Sequence, residues 1–184
     1  MNLNEYQELA KGTALPGAWS LSYLVPGLAG ETGELAEKFY GLVYSLEFTQ
    51  EQMLAEVADH LWFAALICEF LDLQLEDLVR WGDYFDAMVD SYGHNKTPNQ
   101  LLMKIMTKTG DANSAFAKSV RDEGGNLSEK RLNQILESVR ETVILSTAFA
   151  ALFDTSLEEL MQSNLDKLYG RKERGTLGGD GDTR

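Results

Sequence analysis

Two stretches decide the fold: GLAGETGELAEKF (27–39) and LAEVADHLWFAALICEF (54–70). In the first, Leu28, Leu35 and Phe39, with Leu42 beyond them, recur at helical spacing. In the second, Val57, Leu61, Ala64, Ala65 and Cys68, with Met53 ahead of them, line one apolar stripe. Each stretch also carries a pair of acids, Glu31 with Glu34 and Glu56 with Asp59. A spacing of i,i+3 sets both acids of a pair on one helix face. Antiparallel neighbours can bring two such faces together.

Outward from this centre the pattern stays helical. Helices are predicted over 3–14, 27–45, 50–71, 74–91, 99–121, 128–153 and 156–171, with Thr49 as the N-cap of the third. The polar run SYGHNKTPNQ (91–100) reads as a linker, and no run alternates like a strand. The expectation is an all-α helical bundle filling one domain, 1–184, with a flexible glycine-rich tail over 172–184.

The net charge is −13, and all of it lies in residues 1–95, where 16 acids face three bases, Lys11, Lys38 and Arg80. Residues 96–184 hold 13 of each sign. Such acidity argues against a nucleic-acid partner bound through backbone phosphates. Apolar stretches break before the roughly 18 residues of a membrane span, so no membrane partner is expected. The N-terminus lacks the features of a secretory signal, and the single cysteine, Cys68, cannot form an internal disulfide. These features read as cytoplasmic.

Four carboxylates gathered inside a bundle repel one another, so they hold protons or bind hard cations. Oxygen-only ligation selects Mg²⁺ or Mn²⁺ over zinc. The competing reading is a solvated acidic face. Against it, Asp59 lies within an apolar segment. Gly30 and Gly33 flank the first pair, each costing about 1 kcal/mol in a helix relative to alanine. Two such glycines suggest close backbone approach to another helix or a ligand. A ferritin-like di-iron centre needs Glu-x-x-His pairs, and neither His60 nor His94 stands three residues after a glutamate. His60 reads as a packed or partly exposed histidine.

A weak internal repeat divides the chain into halves 1–93 and 94–171, expected to pack as a pseudo-dimer. EFLDLQLEDLV (69–79) matches within AALFDTSLEELM (150–161) with an offset of 82, and TGE (32–34) matches TGD (109–111) with an offset of 77. The second half carries Lys108, Asp111, Ser138 and Glu141 at the carboxylate positions, so its own cation site is expected to be lost. Conversely, Asn164 and Lys167 stand where the first half has Gly82 and Phe85. The losses are complementary, and one chain would build a single site from both halves.

E-x-x-E followed, after the 21 residues 35–55, by E-x-x-D resembles the metal motif of the all-α nucleoside triphosphate pyrophosphohydrolases of the MazG type. NEYQELAKGTA, the two acidic helices and NLDKLYGRKERGTLGGDGDTR resemble further segments of that family, in order. The last looks like the close of short, often phage or bacterial, members, which would place the protein in a host cytoplasm. The insertion of about 80 residues before it departs from them.

The resemblance implies a reaction: a nucleoside or deoxynucleoside triphosphate plus water gives the monophosphate and pyrophosphate, with Mg²⁺ (Mn²⁺ as substitute). Glu31, Glu34, Glu56 and Asp59 would hold metal, with Glu34 or Glu56 also serving as general base. Lys38 would reach a phosphate, or else pair with Glu34 one turn away. Asn164, Lys167, Arg171, Lys172 and Arg174 would supply phosphate or base donors, an ordinary basic helix end being the alternative. Trp19, Trp62, Phe63 and Tyr6 are the candidates for stacking on a base, against the commoner role of core aromatics. A purine substrate, dGTP or GTP, is slightly favoured, and a homodimer is expected. The rivals are a dUTP- or dCTP-directed enzyme of the same superfamily and a non-catalytic helical regulatory partner.

Overall fold

The computed structural model describes residues 1–45, 47–79 and 84–178. They form eight α-helices: α1 (Leu3–Lys11), α2 (Leu21–Tyr40), α3 (Gln50–Phe70), α4 (Leu75–Val79), α5 (Tyr84–Asn95), α6 (Pro98–Glu123), α7 (Glu129–Ala151) and α8 (Leu157–Glu173). A 3₁₀ turn (Pro16–Ala18) precedes α2 and a π turn (Gly41–Ser45) follows it. There is no strand among the described residues, and the fold is the expected all-α bundle.

Local chemistry fixes the helix starts. Capping boxes open α1 (Asn2 with Glu5), α3 (Thr49 with Gln52), α6 (Thr97 with Gln100) and α8 (Ser156 with Glu159). Each satisfies two backbone N–H groups that a helix end would leave orphaned. Pro98, with no N–H to lose, stands at the first position of α6. The expected linker 91–100 therefore shrinks to a short break between α5 and α6.

The second helix begins six residues earlier than its proline suggests. Leu21, Leu24 and Val25 are buried, so their packing extends α2 through Pro26. Pro26 and Ser22 are exposed, which leaves the Ser22 carbonyl to water. The fourth predicted helix, 74–91, is carried by α4 and α5. Residues 80–83 between them, including Gly82 of the repeat comparison, lie outside the described residues.

The hairpins α2–α3 and α6–α7 pack together through α2 against α6 and α3 against α7. The elements that follow each hairpin cross over: α4 and α5 pack on α7, while α8 packs on α3. The turns after α3 and α7 have the same form. Asp72 and Asp154 both adopt φ 57°, and Leu73 and Thr155 each donate their N–H back to the fifth residue before, Cys68 and Ala150 respectively.

Helix α3 touches α1, α2, α4, α7 and α8, and is buried on nearly every side. Its polar residues must therefore be satisfied within the protein. His60 is fully buried between Thr32 on α2 (Nε2 to Oγ1, 3.0 Å) and Ser146 on α7 (Nδ1 to Oγ, 2.9 Å). The Thr32 hydroxyl already donates to Leu28 O at 3.1 Å, so it accepts from Nε2–H and the Ser146 hydroxyl donates to Nδ1. Burial pushes His60 down to about 3, so the ring is neutral. Cys68 is buried and its thiol is pushed up to about 12.

The close approach expected at Gly30 and Gly33 lies elsewhere. Both are exposed, and a Cβ at either would meet nothing within 4 Å. A Cβ at Gly27 would instead strike the Phe63 ring, and one at Gly41 the Phe48 ring. Gly30→Ala should therefore raise stability by up to about 1 kcal/mol through helix propensity. Gly27→Ala should lower it by about 1–3 kcal/mol through overpacking. Thermal or urea unfolding of the two variants beside the wild type checks this opposition of sign.

Candidate metal centre

The buried face of α3 presents Glu56 and Asp59 one turn apart. Glu31 faces them from α2, and one oxygen from each of the three carboxylates lies within 4.8 Å of the other two. Glu34 is exposed and stands outside the trio, though its charge reaches Glu31. Three of the four acids singled out in the sequence thus come together.

Glu56 and Asp59 each have a basic partner from another element. Glu56 is 1% exposed and forms an ion pair with Lys38, itself buried on α2. The sequence also allows Lys38 an i,i+4 pair with Glu34. Lys38 turns inward because a carboxylate this deeply buried needs a counter-charge. Asp59 is held from α8: Asn164 Nδ2 donates to Oδ1 at 2.6 Å and Lys167 Nζ to Oδ2 at 2.5 Å. The buried Tyr6 hydroxyl donates to Asn164 Oδ1 at 2.8 Å, which turns the amide so that its NH₂ faces Asp59. Arg171, one turn beyond Lys167, is also buried, and its charge is felt at Asp59.

The electrostatics are those of crowded like charges. Glu31 is pushed up to about 9, chiefly by burial and then by the charges of Asp59, Glu56 and Glu34. Burial also raises Asp59, with Lys167 and Arg171 pulling the other way. Tyr6 is lifted well above the usual phenol range by burial and by Asp59. A cation among these oxygens would relieve the repulsion that keeps Glu31 protonated. The all-oxygen donor set suits a hard divalent ion such as Mg²⁺ or Mn²⁺. To reach Glu56 and Asp59, that ion must share or displace their lysine partners.

The remaining sequence candidates divide. Phe63 is 4% exposed and belongs to the core, its ring seated over Gly27 and 5.8 Å from Tyr23. Trp62 is half-buried, with Nε1 donating to Thr13 Oγ1 at 2.9 Å and its ring edge-on to Phe63 at 4.9 Å. Trp19 is half-buried at the end of the 3₁₀ turn and packs against the core. Lys172 is exposed and donates to Gly12 O at 2.7 Å, tying α8 to the end of α1 rather than reaching the carboxylates. Arg174 is exposed just beyond α8. The tail residues 179–184 lie outside the described residues. Sequence reasoning offered Tyr6 as a stacking ring but missed its hydroxyl's role with Asn164. A helix pattern marks Tyr6 as buried without showing where its hydroxyl ends.

One curated relative is the "Gene 37 protein" of Mycobacterium phage L5. It is 27% identical over 84 residues, which make up 46% of this chain and 74% of that protein. No family model matches the chain, and no solved structure matches it.

The Glu31 shift carries a sign. In the cation-free protein the folded state keeps the Glu31 proton up to about pH 9, whereas the ordinary glutamate releases it near 4.5. Folding therefore takes up a proton between those values, and this group's stabilising contribution is lost as pH rises through them. The melting temperature in chelator should fall across that window, and Glu31→Gln should flatten the fall. Added Mg²⁺ or Mn²⁺ should raise the wild-type melting temperature more at the alkaline end than at the acid end, because the proton and the cation compete.

Proposed function

We propose that the chain hydrolyses a nucleoside or deoxynucleoside triphosphate to the monophosphate and pyrophosphate, with Mg²⁺ (or Mn²⁺) held by Glu31, Glu56 and Asp59. The observation that carries this reading is the convergence of those carboxylates, with the lysines Lys38 and Lys167 at their edge. The E-x-x-E…E-x-x-D resemblance to MazG-type enzymes supplies the reaction class. In that reaction a water oxygen bonds to the α-phosphorus, and the bond to the bridging oxygen of the β-phosphate breaks. The bound cation would supply charge withdrawal from the phosphate and a lowered pKa for water.

The chain's own residues have distinct tasks in this reading. Lys38 and Lys167, which neutralise Glu56 and Asp59 in the cation-free state, turn toward phosphate oxygens once a cation takes over those carboxylates. Arg171 adds a third positive charge on the same side. Asn164, fixed by Tyr6, holds Asp59 in one orientation. Glu34, exposed beside the trio, or Glu56 within it would accept a proton from water. The half-buried rings of Trp62 and Trp19 are the candidates for stacking on a base. We favour a purine triphosphate, as for the short phage-like members of the MazG-type enzymes, and a homodimer.

The second reading is a non-catalytic helical partner protein. The observation favouring it is that Glu56 and Asp59 already have lysine partners, as a purely structural polar core would. The two readings part in a direct assay. Purified protein is supplied with each of the eight common NTPs and dNTPs and with Mg²⁺, and pyrophosphate release is measured. Release is expected from at least one, with none in chelator. Silence toward all eight in the presence of metal would sink the hydrolase reading. Glu56→Gln should abolish release while retaining the helical circular-dichroism spectrum. Asn164→Ala and Lys167→Ala should each lose about 10–100-fold in kcat/KM.

A further inference from the structure

The α6–α7 hairpin has an opening of its own. An open groove of about 490 Å³ lies between the two helices, lined mostly by exposed side chains, with Lys108, Asp111 and Lys118 from α6 and Arg131, Gln134 and Ser138 from α7 among them. This volume falls within the range of small-molecule sites, roughly 300–1,000 Å³.

Its position in the fold is informative. By the offsets of 77 and 82, Lys108 corresponds to Glu31, Asp111 to Glu34 and Ser138 to Glu56. The starts of α2 at Leu21 and of α6 at Pro98 keep the first offset, and the left-handed Asp72 and Asp154 keep the second. The groove thus occupies, on the second hairpin, the level that the carboxylates occupy on the first. The chemistry is reversed. Where the first hairpin gathers acids, the second presents Lys108, Lys118 and Arg131.

The charges in this groove are differently committed. Among the described residues, Lys108, Lys118 and Asp111 form no ion pair within 4.0 Å, and the Lys118 charge acts on Asp122 one turn away. Arg131 is 16% exposed and is braced by Glu123 at 3.4 Å, while Nη1 donates to Gln134 Oε1 at 3.1 Å. Its Nε is buried and makes no hydrogen bond. Glu137 is turned toward Arg140 at 3.5 Å. The groove therefore offers the ammonium groups of Lys108 and Lys118, the latter also acting on Asp122, beside a guanidinium held by Glu123 and Asp122, next to the carboxylates of Asp111 and Glu137 and several neutral polar side chains.

We propose that the α6–α7 groove binds a nucleotide-sized phosphorylated small molecule without any metal. Lys108 and Lys118 take the phosphate, charge-assisted, with Arg131 fixed behind them. Asp111 accepts hydrogen bonds from sugar hydroxyls or a base amino group, which a bare anion lacks. Gln134, Asn133 and Ser138 complete the polar lining. In a chain of net charge −13, anion capture needs such a local concentration of bases. The inference does not rest on the hydrolase reading, because it concerns the other hairpin and excludes the cation.

Isothermal titration of the full chain with GMP, UMP and inorganic phosphate, in EDTA, tests it. The expected result is a single site for at least one nucleotide. It weakens at least about tenfold in the double variant Lys108→Ala/Lys118→Ala, survives in Asp59→Asn, and prefers nucleotide to phosphate. Both lysines sit at the groove and outside the core, and matching melting curves verify that the double variant is folded. Three results would overturn the proposal: no nucleotide binding in EDTA, binding indifferent to the two lysines, or binding that is lost in Asp59→Asn. Inorganic phosphate binding as tightly as the nucleotides would overturn it as well, leaving an anion site only.

Discussion

Helix α3 is buried by five other helices while carrying Glu56, Asp59 and His60 among its apolar residues. A polar group in such a position is costly unless another group satisfies it, and a charge more so. The bundle meets this constraint three times from three directions. Lys38 comes from α2 to Glu56, Asn164 and Lys167 come from α8 to Asp59, and Thr32 and Ser146 bracket His60 from α2 and α7. The polar partners on α3 are thus also the points at which the surrounding helices are keyed to it.

The same constraint leaves one group unmet. Glu31 faces the two acids of α3 without a dedicated base, and its pKa rises to about 9 in consequence. An aggregate of three carboxylates with two lysines is stable as it stands only by holding a proton. That unresolved charge distinguishes this corner from His60, where every lone pair and proton is accounted for and the ring stays neutral. It is also what makes the corner receptive to a cation. The overall −13 takes on a local meaning here, since the excess acids lie in the half of the chain that supplies α2 and α3.

The architecture crosses its two hairpins over. Helix α8 leaves α7 to pack on α3, while α4 and α5 leave α3 to pack on α7. Asn164 and Lys167 meet Asp59 across 105 and 108 residues of sequence for this reason. The crossing also explains why the two hairpins can diverge in charge. Each receives its covering helix from the opposite half, so Asp59 takes Lys167 from α8 while Glu141 lies beside Tyr92 of α5 and Arg140 of its own helix.

Much of this was legible in the sequence because periodicity, capping and i,i+3 spacing are local properties. They give the helices, the capping at Thr49, the side of each helix on which the acids stand, and the apolar setting of Asp59. Local reasoning failed where the outcome depends on the neighbour. Pro26 does not start α2, because Leu21, Leu24 and Val25 have a core to enter. Gly30 and Gly33 mark no close approach to another helix, because that side of α2 faces solvent, whereas Gly27 meets Phe63. Lys38 chooses Glu56 across the hairpin over Glu34 on its own helix, because burial makes the first charge the more demanding. Sequence alone determined that four acids stood on two helix faces. Tertiary structure decided that three of them converge and which bases meet them, since the crossing of α8 over α3 is a property of packed helices and of no single stretch of chain.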